Sequence, residues 1–305
     1  MEGVTGYIYR NVHHKFYGGV DKYFMPFVSP TQNGSFNPKE RKDVIREHNL
    51  DICVVPQILA NNAAYFTKAE QELREFGYDE INLNLGCPSN TVVAKCKGSG
   101  LLFDTYRLET FLEEIFINAS GKISIKTRLG RYDEEEFQEL IQIFNRYPIS
   151  QLIIHPRIQK DFYKNPIRTE VFLNAFSQSV NLVCYNGDIC SVEDYKKLKL
   201  TCPNLEAVMI GRGALSDPNL FNELKEAEKG TVDRIAFDLE KFKQFHWELY
   251  TRYRESIGNN SVFKMKELWI YMGKWFPNGE KYLKKIRKVQ KMSDYEQLVE
   301  RLFQS

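Results

Sequence analysis

The sequence predicts an α/β domain in which short apolar strands alternate with longer amphipathic helices, followed by a domain made only of helices. Seven short apolar runs lie between residues 23 and 210, and each precedes a stretch with helical periodicity. After Gly230 the apolar residues recur every three or four positions, without a further strand-like run. We therefore predict two domains, at residues 1–229 and 230–305.

The seven predicted strands are expected to form one parallel sheet. Their apolar residues show little alternation, as is typical of parallel strands that helices cover on both faces. They span residues 23–28, 52–59, 81–85, 123–127, 151–155, 182–185 and 207–210. A first strand, truncated in this sequence, would complete the eight of a (β/α)8 TIM barrel.

Residues with known capping preferences mark the predicted helix ends. Asn62 precedes a helix that should end at Gly77, and Asp133 with Glu136 forms a capping-box pattern. In the C-terminal domain we expect helices over 235–253 and 262–276, and one or two more over 281–303.

Composition excludes several classes of protein. The net charge is only +2, so any attraction to nucleic acid must come from a local patch. The six cysteines include no Cys-x-x-Cys pair and the five histidines are scattered, so no metal site is expected. No apolar run approaches the roughly 20 residues that span a bilayer, and no signal peptide is recognised. We expect a cytoplasmic monomer.

Three histidines receive structural interpretations. His246 falls on the apolar stripe of its predicted helix, so we expect a core or boundary position for it. His13 and His14 have no acidic residue nearby in the sequence, and we expect both to face solvent.

A basic patch is predicted in the C-terminal domain. Between residues 264 and 291 there are nine lysines or arginines against two acids. The basic residues are Lys264, Lys266, Lys274, Lys281, Lys284, Lys285, Arg287, Lys288 and Lys291, with Trp269, Tyr271, Trp275 and Tyr282 among them. Such a run often forms only a solvated helix face. Interleaved aromatic residues also suit a surface that pairs with phosphates and packs against nucleotides.

The most informative stretch is Asn82-Leu-Asn84-Leu-Gly86-Cys87-Pro88. The strand pattern stops at Gly86, so Cys87 should lie just past a strand end on a tight loop, where Gly98 and Gly100 supply backbone freedom. An isolated cysteine is more often a small buried hydrophobic residue than a catalytic one. The end of a barrel strand is, however, where such enzymes place their reactive groups.

Other predicted strands also end in polar residues of catalytic type. They are Gln57, Lys126 with Arg128, His155 with Arg157, Asn186-Gly187-Asp188, and Gly211-Arg212-Gly213. Each alone could be a rim charge or an ordinary turn. Because all five occupy equivalent strand ends, we expect them to act together. The last two suit a phosphate site, since barrels often bind phosphate after strands 7 and 8.

The Asn-x-Asn-x-Gly-Cys-Pro run resembles the signature of the tRNA-dihydrouridine synthases, flavoenzymes that reduce a uracil base within tRNA. Later motifs follow in the family's order up to about residue 215, and the helical tail is similar only in kind. The resemblance implies FMN as cofactor, NADPH or NADH as reductant, and tRNA bound through the helical domain. Met25-Pro26-Phe27 departs from the pattern, since many members carry a glutamate there.

The resemblance also implies roles for individual residues. Cys87 would give a proton to C5 of the uracil while a hydride from FMN reaches C6. Asn84 and Arg128 would contact the uracil, and Lys126 would stabilise negative charge on the flavin. The implied FMN contacts are Met1, Glu2, Gly3, Gln57, Lys126, His155, Asn186, Gly187, Asp188, Gly211 and Arg212.

Two other functions stay open. One is a free-pyrimidine FMN oxidoreductase of the dihydroorotate or dihydropyrimidine dehydrogenase kind, although a small free substrate needs no basic helical domain. The other is a non-catalytic RNA-binding barrel, although such a protein would not need Cys87, Lys126 and the phosphate site.

Overall fold

The computed structural model describes residues 1–230, 235–276 and 279–304, without the side chain of Lys274. The chain forms two compact units. Unit 1 comprises Met1–Asp21, Ile189–Lys196 and Ile210–Ser305, and unit 2 comprises Lys22–Asp188 and Lys197–Met209. The predicted domain boundary at residues 229 and 230 adjoins residues 231–234, which lie outside the described part, and stays a prediction.

Unit 2 is built on a parallel sheet of seven strands, each paired with its neighbours in sequence. The strands are β1 (Tyr23–Val28), β2 (Val54–Ile58), β3 (Glu80–Leu85), β4 (Lys122–Arg128), β5 (Leu152–His155), β6 (Val183–Tyr185) and β7 (Ala207–Val208). All seven predicted strands are confirmed, and so is the barrel-type alternation of strand and helix. In the described residues β1 and β7 are the two ends of the sheet.

Fourteen helices are found in the described residues, with short 3₁₀ turns between some of them. They are α1 (Tyr7–Phe16), α2 (Pro38–Val44), α3 (Ala63–Glu75), α4 (Asn90–Val93), α5 (Thr105–Asn118), α6 (Glu136–Phe144), α7 (Thr169–Gln178), α8 (Val192–Thr201), α9 (Arg212–Ser216), α10 (Leu220–Glu228), α11 (Leu239–Ile257), α12 (Ser261–Met272), α13 (Gly279–Ile286) and α14 (Met292–Phe303).

Local capping explains where the helices begin and end. The Asn62 side chain accepts a hydrogen bond from the N–H of Tyr65 at 3.0 Å, and α3 ends just before Gly77, which has a φ of +86°. This helix is confirmed at both ends. The helix predicted after Asp133 begins only at Glu136. The Glu136 carboxylate accepts N–H groups of the preceding turn, including that of Asp133 at 2.9 Å, so it caps that turn.

Unit 1 joins the N-terminal helix to the C-terminal helices. The predicted C-terminal helices are confirmed as α11 to α14. Apolar residues of α1, such as Ile8 and Val12, belong to the same buried cluster as Phe245 and Leu249 of α11. The ring of Tyr9 lies 6.1 Å from that of Phe245, edge to face. The chain start is therefore held by the helical unit, which the sequence pattern does not predict.

Two histidines are buried in unit 1. His246 is fully buried, consistent with the prediction, and its Nε2 lies 2.7 Å from the hydroxyl of Tyr295. His13, expected to face solvent, is also buried, with Nε2 2.9 Å from the carbonyl oxygen of Pro218. The expectation was wrong because the face of α1 that carries His13 packs inside the helical unit. His14 is exposed, as predicted.

Lowering the pH from 7 to 5 should destabilise unit 1. Burial lowers the pKa of His13 to about 4 and that of His246 to about 3. Both values lie below the pKa of about 6.5 of a solvated imidazole, so the unfolded chain binds more protons in this range. The contribution of each neutral histidine to the free energy of unfolding is therefore fully present above pH 6.5 and is lost as the pH falls. The loss is roughly 2 kcal/mol per histidine at pH 5.

Urea unfolding at pH 7 and pH 5 tests this expectation. All three tryptophans, Trp247, Trp269 and Trp275, lie in unit 1, so their fluorescence reports on it. A His246→Phe variant should lose less stability than wild type between the two pH values, by roughly 2 kcal/mol. The same loss in both proteins would contradict the assignment.

Candidate active site

The predicted polar residues of unit 2 lie at the carboxyl ends of adjacent strands, where a barrel enzyme forms its active site. The strand register brings them side by side. It pairs Gln57 with Asn82, Asn84 with Lys126, and Arg128 with His155.

A chain of buried side-chain hydrogen bonds crosses β2, β3 and β4. Asn84 Nδ2 donates to Gln57 Oε1 at 2.7 Å, and Gln57 Nε2 donates to Asn82 Oδ1 at 2.8 Å. Asn82 Nδ2 in turn donates to Ser124 Oγ at 3.0 Å. The chain fixes the direction of each amide. Asn82 and Ser124 were not predicted as site residues, and the available signal was a polar residue inside an otherwise apolar buried strand.

The backbone of Cys87 is held from two sides. Asn84 Oδ1 accepts hydrogen bonds from the N–H groups of Gly86 at 3.0 Å and Cys87 at 2.9 Å. The carbonyl oxygen of Cys87 accepts from the N–H of Ser99 at 3.2 Å and from its hydroxyl at 2.8 Å. Gly98 has a φ of +56°, and a Cβ there would lie 2.8 Å from the Cys87 carbonyl oxygen. This loop needs a glycine at position 98 for both reasons.

Lys126 is a half-buried cation in the middle of the site. No carboxylate in the described part of the chain pairs with it. Burial, with a smaller contribution from the Arg128 cation, lowers the pKa of its amine to about 8, and Cys184 and Cys87 partly oppose this shift. The amine therefore stays mostly protonated at neutral pH, and its charge is free to attract an anionic or electron-rich ligand.

Arg128 joins two loops of the site. Its buried guanidinium donates to the carbonyl oxygens of Gly86 at 3.0 Å, Ile158 at 2.9 Å and Phe162 at 2.9 Å. It also lies 5.3 Å from the ring centre of Tyr163. Phe162 has a φ of +50°, an unusual conformation for a residue with a side chain, and its hydrogen bond to Arg128 helps to hold it. Arg128 thus fixes the loops after β3 and β5.

Arg157 and Asp188 form a two-pronged ion pair that joins the loops after β5 and β6. Nη1 and Nη2 of Arg157 lie 3.0 and 2.5 Å from the two carboxylate oxygens of Asp188. Nη1 also lies 3.1 Å from Nε2 of His155. Arg157 was expected among the strand-end residues of the site, but its ion pair with Asp188 was not predicted.

The Asn186-Gly187 turn is closely packed. Asn186 Nδ2 donates to the carbonyl oxygen of Met209 at 2.7 Å. A Cβ on Gly187 would lie 2.0 Å from the hydroxyl oxygen of Tyr185, so any larger residue there would force the Tyr185 side chain to move. The Tyr185 ring therefore packs directly against the backbone of this predicted phosphate site.

The remaining predicted FMN contacts lie in unit 1. Met1 Sδ is 3.6 Å from the place that a Cβ on Gly211 would take, so Met1 and Gly211 are neighbours. Gly3 has a φ of +71°, Glu2 is exposed, and Arg212 begins α9. Their contact with the same ligand as the residues of unit 2 stays a prediction.

The basic surface of unit 1 is partly as predicted. Its six residues from 281 to 291 are exposed, and they are Lys281, Lys284, Lys285, Arg287, Lys288 and Lys291. Lys264 pairs with Glu267 at 2.9 Å, and the Lys274 side chain lies outside the described part. Trp269, expected among the aromatic residues of this surface, is fully buried and donates to Tyr295, so it cannot pack against a nucleotide.

The described residues contain neither a helix that could span a membrane nor a cluster of metal-ligating side chains. Across residues 1–230, 235–276 and 279–304, no helix is both long and apolar enough to cross a membrane. Within the same residues, no group of three or more histidine, cysteine or acidic side chains is placed to hold a metal ion.

Side chains of catalytic type lie at the carboxyl ends of parallel strands, around a cysteine and a half-buried lysine. This is the arrangement expected at the active site of a barrel enzyme. A family model gives its particular class. The model described as dihydrouridine synthase (Dus) matches residues 1–305, and the chain belongs to that family.

Named relatives agree with this family. A tRNA-dihydrouridine(16) synthase of Neisseria meningitidis is 27% identical over 302 residues, which cover 95% of this chain and 89% of the relative. A tRNA-dihydrouridine(47) synthase-like protein of Arabidopsis thaliana is 31% identical over 182 residues, or 57% of this chain. The match spans only 26% of the Arabidopsis protein.

Solved structures show the same fold. A variant of NCR from Zymomonas mobilis has a TM-score of 0.55 at 10% identity and covers 80% of this chain and 91% of its own. Morphinone reductase has a TM-score of 0.51 at 11% identity, covering 79% of this chain and 85% of its own. At these identities the likeness concerns the fold alone.

Replacing Gly98 by alanine should destabilise unit 2 more than replacing Gly77. Both glycines have positive φ, which costs alanine about 1 kcal/mol. A Cβ on Gly98 would also overlap with other atoms, whereas a Cβ on Gly77 would have no atom within 4 Å. This overlap should add about 1 to 3 kcal/mol. Urea unfolding followed by circular dichroism measures both losses, and equal losses would contradict the packing described around Cys87.

Proposed function

We propose that this chain is an FMN-dependent tRNA-dihydrouridine synthase, which reduces the C5=C6 bond of uridine in tRNA with NADPH or NADH as reductant. The observation that carries the proposal is Cys87, fixed at the end of β3 close to the half-buried Lys126. Family membership and the names of the relatives support the same reaction.

The residues of the site fit FMN. When bound, FMN supplies the hydride that reaches C6 of the uracil. Lys126, which has no carboxylate partner in the described part, offers its charge to the electron-rich edge of the flavin. Gln57 keeps one N–H beyond its bond to Asn82, and His155 stands at the end of β5. Because Arg157 neutralises Asp188, that carboxylate can lie near the FMN phosphate without repelling it.

We further propose the remaining FMN contacts that the sequence indicates. They are Met1, Glu2, Gly3, Asn186, Gly187, Gly211 and Arg212. Glycines allow backbone N–H groups to approach a phosphate closely, and Arg212 would add a charged donor.

Cys87 serves as the proton donor. A solvated thiol has a pKa of about 8.5, so it is mostly protonated at neutral pH and still acidic enough to donate. The proton passes from Cys87 Sγ to C5 of the uracil as the hydride arrives at C6. The nearby Lys126 cation stabilises the thiolate that remains, and solvent can return the proton because Cys87 is half-exposed.

Asn84 and Arg128 have two tasks in this proposal. Most of their polar groups already hold the loops of the site, as their hydrogen bonds to Cys87 and Gly86 illustrate. The second N–H of the Asn84 amide stays available for a uracil oxygen. Arg128 contacts the base through the guanidinium N–H groups that are not bonded to the loop carbonyl oxygens.

The tRNA would bind through the exposed cations of α13 and the segment that follows it. Positive charge there releases counterions from the RNA backbone and helps to offset the cost of extruding the base. An enzyme that acts on tRNA fits the reducing cytoplasm.

Replacing Cys87 by alanine should lower product formation by about 10² to 10⁴, because the positioned acid is lost. FMN content should stay unchanged. The measurement is the mass of uridine nucleosides from unmodified tRNA after incubation with NADPH, where each product gains two hydrogen atoms. Cys53→Ala, at an exposed cysteine before β2, is the matched control and should behave like wild type.

Turnover by Cys87→Ala close to that of wild type would show that another group donates the proton. Free uracil and orotate should be tested alongside tRNA. Reduction of a free pyrimidine without reduction of tRNA would replace the proposed function by that of a free-pyrimidine oxidoreductase.

A further inference from the structure

Four side chains of unit 2 form an exposed cluster of aromatic rings and cations. They are Phe103, Arg131, Tyr132 and Lys160, called the aromatic–cation cluster below. The Phe103 and Tyr132 rings meet edge to face with centres 5.1 Å apart. The Arg131 guanidinium lies 5.5 Å from the first ring and 4.8 Å from the second, and Lys160 Nζ lies 4.5 Å from the Tyr132 ring. Phe103 and Tyr132 are 58% and 40% exposed.

The cluster lies on loops that are hydrogen-bonded to the Cys87 loop. Gln159 Nε2 donates to the carbonyl oxygen of Pro88 at 3.1 Å, and the Gln159 N–H donates to that of Gly130 at 2.9 Å. Pro88 follows Cys87, Gly130 precedes Arg131, and Gln159 precedes Lys160. The aromatic–cation cluster is therefore at the same end of the sheet as Cys87, and Gln159 links the loops that carry them.

The cations of the cluster contact its rings but form no ion pairs with other described residues. Neither Arg131 nor Lys160 pairs with a carboxylate in the described part of the chain. Three acids that follow Tyr132 are engaged elsewhere. Glu136 and Asp133 accept N–H groups of their own turn, and Glu134 pairs with Arg168. Glu135 is exposed and weakens any attraction to phosphate, so the ring faces should contribute more than the charges.

We propose that the aromatic–cation cluster is a stacking site for an unpaired nucleotide of the RNA substrate, beside the uridine that reaches Cys87. This inference rests on the proposed function. Taking one base out of a stacked strand exposes the faces of its neighbours, and an exposed ring can cover one of them. Any base can stack on an aromatic ring, so the site accepts any of the four bases at this position. The adjacent cations strengthen the contact.

The test compares the Kd of wild type and variants for unmodified tRNA, by fluorescence anisotropy at fixed salt. Phe103→Leu and Tyr132→Leu keep an apolar side chain but remove a ring, and each should raise the Kd about tenfold. Tyr132→Phe keeps the ring and should bind with the wild-type Kd. Ile117→Ala, at an exposed apolar residue near the end of α5, controls for a general loss of apolar surface and should also bind like wild type.

A fully paired RNA duplex identifies the part of the RNA that is bound. It should bind wild type and the leucine variants equally, because it offers no unpaired base. Unchanged tRNA affinity in both leucine variants, or an equal loss for tRNA and duplex, would overturn the inference. If wild type binds tRNA but reduces no uridine, the proposed function fails, and the same Kd comparison still decides whether the cluster stacks a base.

Discussion

The amide of Asn84 is the constraint on which the arrangement of the site depends. Its oxygen accepts the N–H groups of Gly86 and Cys87, and its nitrogen donates to Gln57. Without it, the buried N–H of Gly86 would lose its partner, at a cost of about 1 to 3 kcal/mol, and the half-buried N–H of Cys87 would lose its partner as well. Asn84 thus turns a strand end into a fixed position for a thiol. The hydrogen bonds of Asn82 and Ser124 keep the amides of the chain from rotating.

Two buried arginines extend this order from the strands to the loops. Arg128 donates to carbonyl oxygens after β3 and β5, and Arg157 links the loop after β5 to Asp188 after β6. A planar guanidinium suits this task, because its donors point in several fixed directions. Loop geometry at the site is therefore set by charged hydrogen bonds, while the apolar core fixes the strands. Two residues of the aromatic–cation cluster lie on these loops, since Phe103 follows β3 and Lys160 follows β5.

Much of this arrangement could be predicted from the sequence. The seven strands are short apolar runs, and α3 has both a capping asparagine and a terminating glycine, so the local sequence pattern was sufficient to predict them. The strand-end residues were found because parallel strands place their carboxyl ends at one edge. The contacts that escaped prediction are distant in sequence. His13 contacts Pro218, which lies 205 positions away in the sequence. Trp269 is covered by neighbouring helices, and the periodicity of the sequence does not specify how those helices pack. Arg157 was expected at a strand end, but its pairing with Asp188 was not, because an arginine at a barrel rim has no local sign of its partner.

The proposed reaction is tested by the visible absorption spectrum of the purified protein, recorded without oxygen. NADPH is added first and unmodified tRNA second. We expect flavin bands that NADPH bleaches and tRNA restores, which would establish cofactor, reductant and acceptor in one experiment. A colourless protein, or a bleached flavin that tRNA leaves unchanged, would contradict the proposed reaction.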